Sequence, residues 1–165
     1  FRNVKKSLNN LNQFIPIVFL LLIFLQITFG AFVSGMDAGK IYNSWPLMGS
    51  SFFPDDSNIS EILTLSSLSD RSLVQFIHRN LAYIILIFYI YIFYRIYILR
   101  LKEYYNTVYL VGFLLLIQVI LGIVTLLSGA TIYYSSLHQI SSIFLVSSCI
   151  YFLYINFSFS QQPSS

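Results

Sequence analysis

The sequence predicts an all-α integral membrane protein, a bundle of four transmembrane helices. Three observations lead there. Hydrophobic residues make up 57% of the 165 and charged residues only 9%, with a mean hydropathy of +0.76. A soluble domain carries about a quarter charged residues, so this chain cannot cover a water-soluble surface. Four apolar stretches are each long enough to cross a hydrocarbon layer of about 30 Å, which takes about 20 helical residues. The charges gather between these stretches, with Arg79 the exception. The length suits a single membrane domain over residues 1–165.

The first stretch, Phe14–Met36, has Pro16 in its opening turn, where the missing N–H costs little. A long polar loop, 37–72, follows. The second stretch is Leu73–Tyr94, leading into a short loop, 95–106. The third is Thr107–Ser128 and the fourth Tyr133–Phe157, joined by the tight turn Gly129–Ile132. The Ile, Tyr and Phe richness of Ile84–Tyr97 is strand-like. Backbone groups in lipid must be satisfied within the segment, however, so helix is the reading.

Orientation follows from the loops. Arg2, Lys5 and Lys6 precede the first helix, and Arg95, Arg100 and Lys102 fill the short loop. The long loop sets Lys40 and Arg71 against Asp37, Asp55, Asp56, Glu61 and Asp70. Six of the nine basic residues thus share one side. The positive-inside rule makes that side cytoplasmic or matrix, with both termini there and the long loop outside. This topology accounts for the net charge of +3, and no basic stripe suggests nucleic acid. The apolar run after Arg2–Lys6 is too long for a signal peptide and ends in Gly-Met-Asp without a cleavage pattern. A chain opening on Phe1 reads as cut from a longer protein.

A weak internal repeat runs through the chain. Helix one carries Gln26-Ile-Thr-Phe-Gly30 and helix three Gln118-Val-Ile-Leu-Gly122. Each is followed by an outward loop and a helix with a histidine near its outer end. The unit occurs twice in one orientation, which implies a pseudo-two-fold axis along the membrane normal.

His78 and His138 are the only two histidines. Each is sixth in its stretch, so both lie about 8 Å below the outer helix ends and level with one another. Neutral imidazole is a good axial ligand for heme iron. Ala82, one turn below His78, and Ser141 and Ser142, one turn below His138, would leave room for a macrocycle. Two other readings compete with ligation. Each imidazole could simply bond a neighbouring helix. A zinc site would want further Cys, His or carboxylate ligands, and the sequence offers none at this depth. Arg79 stands open between pairing with a heme propionate and snorkelling to the headgroups.

The remaining features have plainer readings. Gln26 and Gln118 are buried amides suited to interhelical hydrogen bonds. The spacings Gly30/Ser34 and Gly35/Gly39 suggest close helix packing. Cys149, the one cysteine, is a small lipid-facing or packed side chain without a disulfide partner. No phosphate-binding loop follows a strand, and no nucleophile motif ties a serine or carboxylate to either histidine.

Several stretches together resemble the heme A synthase family of cytochrome oxidase assembly proteins. They are Gly30-Ala-Phe-Val-Ser-Gly-Met-Asp-Ala-Gly39, Tyr42-Asn-Ser-Trp-Pro-Leu-Met48, Val74-Gln-Phe-Ile-His-Arg79, Gln118-Val-Ile-Leu-Gly-Ile-Val-Thr-Leu-Leu127 and Leu137-His-Gln139. The resemblance is to the C-terminal half, since family members look like two four-helix repeats in one eight-helix chain. It implies that the whole protein oxidises the C8 methyl of heme O to the formyl of heme A. It implies that this half holds a heme b through His78 and His138 as axial ligands, for electron transfer or structure. The N-terminal half typically carries a Glu three residues before its His-Arg pair, where this chain has Gln75. Gln75 cannot ionise, so no catalytic residue is assigned here and this half alone is expected to be inactive.

The implied partners are heme O through the other half, heme O synthase, an electron donor and the lipid bilayer, and a homo-oligomer is allowed. The implied location is a bacterial plasma membrane or a mitochondrial inner membrane. The sequence departs from the family after Met48, where the acidic residue often found is missing, and its long loop lacks the cysteines some relatives use. Two other functions compete: a membrane b-type cytochrome subunit that only transfers electrons, and a heme-free assembly protein. The Tyr42–Met48 and Gln75–Arg79 stretches argue against the first.

Overall fold

The computed structural model describes residues 11–160; the basic cluster Arg2, Lys5 and Lys6 lies outside them. Four long helices carry the fold: α1 Phe14–Gly35, α2 Arg71–Ile98, α3 Tyr105–Leu127 and α4 Ile132–Ser160. All four are long and apolar enough to cross a membrane. Among the described residues there is no strand, only an isolated bridge between Met48 and Ser51. The β-branched and aromatic run Ile84–Tyr97 lies wholly within α2, because lipid offers its backbone no partner outside the helix.

α2 extends past its apolar stretch at both ends. It starts early because Asp70 caps it, accepting from the Ser72 and Leu73 amides at 2.8 and 3.1 Å; such a cap satisfies N–H groups the helix leaves free. It ends where Arg100 takes φ 53° and turns the chain. The connector to α3 is therefore short and contains one 3-10 turn, Lys102–Tyr104.

The helices pack in a ring. α1 touches α2 and α4, and α3 touches α4 and α2, whereas the pairs α1/α3 and α2/α4 share at most marginal contact. α2 and α4, the two histidine helices, thus stand at diagonal corners. The α1–α2 and α3–α4 pairs are the tightest, as a repeat of helix pairs requires.

Burial is uneven along the bundle. A sealed core fills the connector end, around Phe19, Ile92, Ile96, Tyr104, Val108 and Phe152. Between helices in lipid the gain is close packing and hydrogen bonding rather than escape from water. The Tyr104 hydroxyl adds a bond to Asn156 Oδ1 at 3.1 Å. This core stops near Ile23, Leu81, Leu115 and Leu145. Toward the long loop no residue between Gln118 and Leu145 is fully buried.

The long loop folds back over the opposite end of the bundle. Asn43 Nδ2 donates to Gly39 O at 2.9 Å and to Leu126 O, at the end of α3, at 3.0 Å. Arg71 Nη2 donates to Asp37 O at 3.1 Å.

Candidate functional site

His78 is the eighth residue of α2 and His138 the seventh of α4. One residue of helix rises about 1.5 Å, so the two rings keep nearly equal depth. Both are partly buried, toward the long-loop end of the bundle.

The partner helix of each pair meets its histidine in the same way. Gln26 and Gly30 are four apart on α1, and Gln118 and Gly122 are four apart on α3, so each pair shares a helix face. Gln26 Nε2 donates to His78 O at 3.1 Å, and Gln118 Nε2 donates to His138 O at 3.2 Å. A Cβ added at Gly30 would lie 3.2 Å from His78 Cε1, and one at Gly122 would lie 3.3 Å from His138 Cε1. The glycines are the floor on which the imidazoles rest. Gly30 therefore answers to a ring, not to a neighbouring backbone. Gly35 answers to nothing, since a Cβ there meets no atom within 4 Å, and close packing at that position is not found.

The two units differ in one respect. Ser141 Oγ donates to Gln118 Oε1 at 2.9 Å. The residue three after His78 is Leu81, and Gln26 Oε1 is buried without a partner. Ser141 is thus a bonded group as well as a small one. Ser142 turns its hydroxyl to Gln139 O of its own helix, at 2.6 Å.

Arg79 reaches into the long loop. Its Nη2 donates to three backbone oxygens of the loop, Ser44 O at 3.1 Å, Pro46 O at 2.9 Å and Leu47 O at 3.2 Å. Its Nη1 is buried without a partner. The guanidinium clamps the Trp45–Pro46 segment, whose peptide bond is cis, and Trp45 Nε1 donates to Tyr83 OH at 3.0 Å. Gln75 is 2% exposed and donates to Tyr42 O at 2.9 Å, another tie between α2 and the loop.

The loop's carboxylates are held by hydroxyls. Ser50 and Ser51 donate to Asp55 at 2.8 and 2.9 Å, and they keep its carboxyl below the usual range. Burial pushes Asp56 upward, but the Tyr42 and Ser72 hydroxyls, each at 2.8 Å, outweigh it and the net shift is downward. Burial, with the Asp56 charge beside it, raises Tyr42.

Do these residues suit a heme? Among the described residues no group of three or more His, Cys, Asp and Glu could hold a metal ion. Two imidazoles are too few for zinc and enough for a macrocyclic metal that needs only axial ligands. Both Nδ1 atoms are buried without a partner. With a glycine floor under each imidazole, the donor set fits.

The fold and site define a four-helix membrane protein that presents two imidazoles from diagonal corners. The profile of the family described as "Cytochrome oxidase assembly protein" matches residues 3–150. The chain is 44% identical over 155 residues, 93% of its length and 45% of the relative's, to the heme A synthase of Pelagibacter ubique (strain HTCC1062). It is 40% identical over 137 residues, 82% of its length and 37% of the relative's, to that of Wolbachia pipientis wMel. It is 34% identical over 145 residues, 86% of its length and 43% of the relative's, to that of Rickettsia felis. No solved structure matches. The chain belongs to the heme A synthase family of cytochrome oxidase assembly proteins. It spans less than half the length of these curated relatives.

The sequence pattern pointed to both histidines and both glutamines. It missed that the glycines serve the rings, although Gln-x-x-x-Gly at matching places was the signal. It also missed the Leu81/Ser141 difference, which shows only when the two units are laid over each other.

Proposed function

We propose that this chain is the C-terminal half of a heme A synthase and holds a heme b through His78 and His138. The observation that carries the reading is the pair of imidazoles at diagonal corners of the bundle, each on a glycine floor. When bound, the heme supplies one-electron chemistry. The chain's own residues supply the frame. His78 and His138 would offer their ring nitrogens to the group, Gln26 and Gln118 fix the height of each histidine backbone, and Arg79 holds the loop above them with one guanidinium nitrogen left over for an anionic group.

The whole protein's reaction, oxidation of the heme O methyl to the formyl of heme A, is assigned to the other half. Gln75 stands where a proton-handling Glu would be needed, and its amide is committed to Tyr42 O. The long loop faces outward and the connector with Arg95, Arg100 and Lys102 faces the cytoplasm or matrix, by the distribution of basic residues.

The test is a reduced-minus-oxidised optical spectrum of the chain purified with heme supplied during expression. A six-coordinate low-spin spectrum lost in both His78→Ala and His138→Ala is expected. Its retention in either variant removes that residue as a ligand. Conversion of heme O to heme A should fail for this chain alone and return when a partner carrying the other half is added; unaided turnover would overturn the division of labour.

A further inference from the structure

The two imidazoles are held differently. Gln26 Nε2 lies 3.1 Å from the His78 carbonyl oxygen, and only the NH2 end of the amide can donate there. The same NH2 faces His78 Nε2 at 3.3 Å. That ring nitrogen is therefore the acceptor, and its lone pair points at Gln26. A lone pair is also what an imidazole gives to iron. At the opposite corner Gln118 donates to the His138 carbonyl, and Ser141 pins the far end of its amide. Among the described residues, no hydrogen bond engages His138 Nε2. Leu81 stands where Ser141 would be, so the Gln26 amide has no such pin and its Oε1 is orphaned.

We infer that Gln26 is a positioning residue that competes with iron for the His78 lone pair, which makes His78 the exchangeable axial ligand and His138 the fixed one. The inference rests on the bis-histidine reading above. Its consequence is directional. A small neutral ligand for ferrous iron, such as carbon monoxide, takes the His78 position; the iron–nitrogen bond breaks, an iron–carbon bond forms, and the His78 lone pair returns to the Gln26 NH2. No electron or proton need move.

The experiment uses the full chain, loaded with heme, reduced and titrated with carbon monoxide under an optical readout. Gln26→Leu removes the competing donor at similar volume. Carbon monoxide affinity should fall about fivefold, the worth of one net hydrogen bond. Gln26→Asn keeps an amide that cannot reach and should fall likewise. Gln118→Leu should lower the affinity less than Gln26→Leu does, because its amide bonds the His138 carbonyl and Ser141 but not the ring. Equal responses of the Gln26 and Gln118 variants, or none from either Gln26 variant, would overturn the inference. So would loss of the low-spin spectrum in Gln26→Leu, since removing a competitor should tighten His78 ligation. A wild-type chain without a low-spin spectrum before carbon monoxide is added sinks the bis-histidine reading and this inference with it. A low-spin wild type whose carbon monoxide affinity ignores Gln26 sinks this inference alone.

Discussion

Gly30 lies so close to the imidazole of His78 that a Cβ there would come within 3.2 Å of Cε1, and Gly122 repeats the contact with His138 at 3.3 Å. Both glycines are mid-helix, where alanine is favoured by about 1 kcal/mol. Helix propensity and site geometry therefore pull in opposite directions. Gly30→Ala and Gly122→Ala should each yield a protein that still folds but holds less heme, read as heme per protein and as a loss of the low-spin spectrum. Gly35→Ala is the control. Its Cβ meets nothing within 4 Å, and its heme content should match the wild type.

Arg79 bonds three backbone oxygens of the Ser44–Leu47 segment from one nitrogen. Hydrogen bonds to a charged donor are worth about 1.5–3 kcal/mol each when well buried, and these are partly exposed, so the set together is worth about that of one such bond. Arg79→Lys presents a rounder ammonium that cannot span the three acceptors. The loop should open, and limited proteolysis between Tyr42 and Ser51 should accelerate about tenfold or more, while the α-helical circular dichroism signal stays unchanged.

The carboxyls of Asp55 and Asp56 sit below their usual range, held by the Ser50, Ser51, Tyr42 and Ser72 hydroxyls. A carboxyl whose folded pKa is depressed contributes stability above its unfolded pKa, and that contribution is lost as pH falls through the folded value. The loop should therefore keep its structure above the ordinary carboxyl value of 3.8 and loosen as pH drops below it. Trp45 is the only tryptophan and lies in this loop, bonded to Tyr83, so its fluorescence reports the change. In Asp55→Asn with Asp56→Asn the acid transition should vanish; a transition that persists would point to another group.

Cys149 is 1% exposed, within the sealed end of the bundle. Burial that deep keeps reagents out. Maleimide should label it only after unfolding, which makes it a built-in probe of the sealed end, independent of anything that happens near the histidines.

Much of the fold was legible in the sequence because lipid permits so little else. Runs of apolar residues the length of a bilayer had to be helices, whatever the strand preference of Ile84–Tyr97. Helix ends were harder: α2 starts at Arg71 because the Asp70 side chain reaches two amides, a local bond that hydropathy does not register. The histidine pair was legible because polar groups are rare in such a chain and each one stands out. The glycine floors were not, since a glycine in a membrane helix signals close approach without saying to what. Arg79 shows the same limit. Its charge marked it, but its partners are backbone oxygens of a loop 32 to 35 residues away in the chain, and backbone atoms leave no trace in composition.

Asn43 ties the long loop to the end of α3 through Leu126 O, and Gly39 of the same loop packs on Ala130 in the α3–α4 turn, where a Cβ would stand 3.1 Å from its neighbour's. The two helix pairs are thus stapled across their tops by a segment belonging to the first pair. The gap between the imidazoles is then not a property of the helices alone. It works like the opening of a pair of callipers, with the loop as the screw: lengthening or shortening the Ala38–Asn43 segment would retune the distance between the two rings without altering a single residue that faces them.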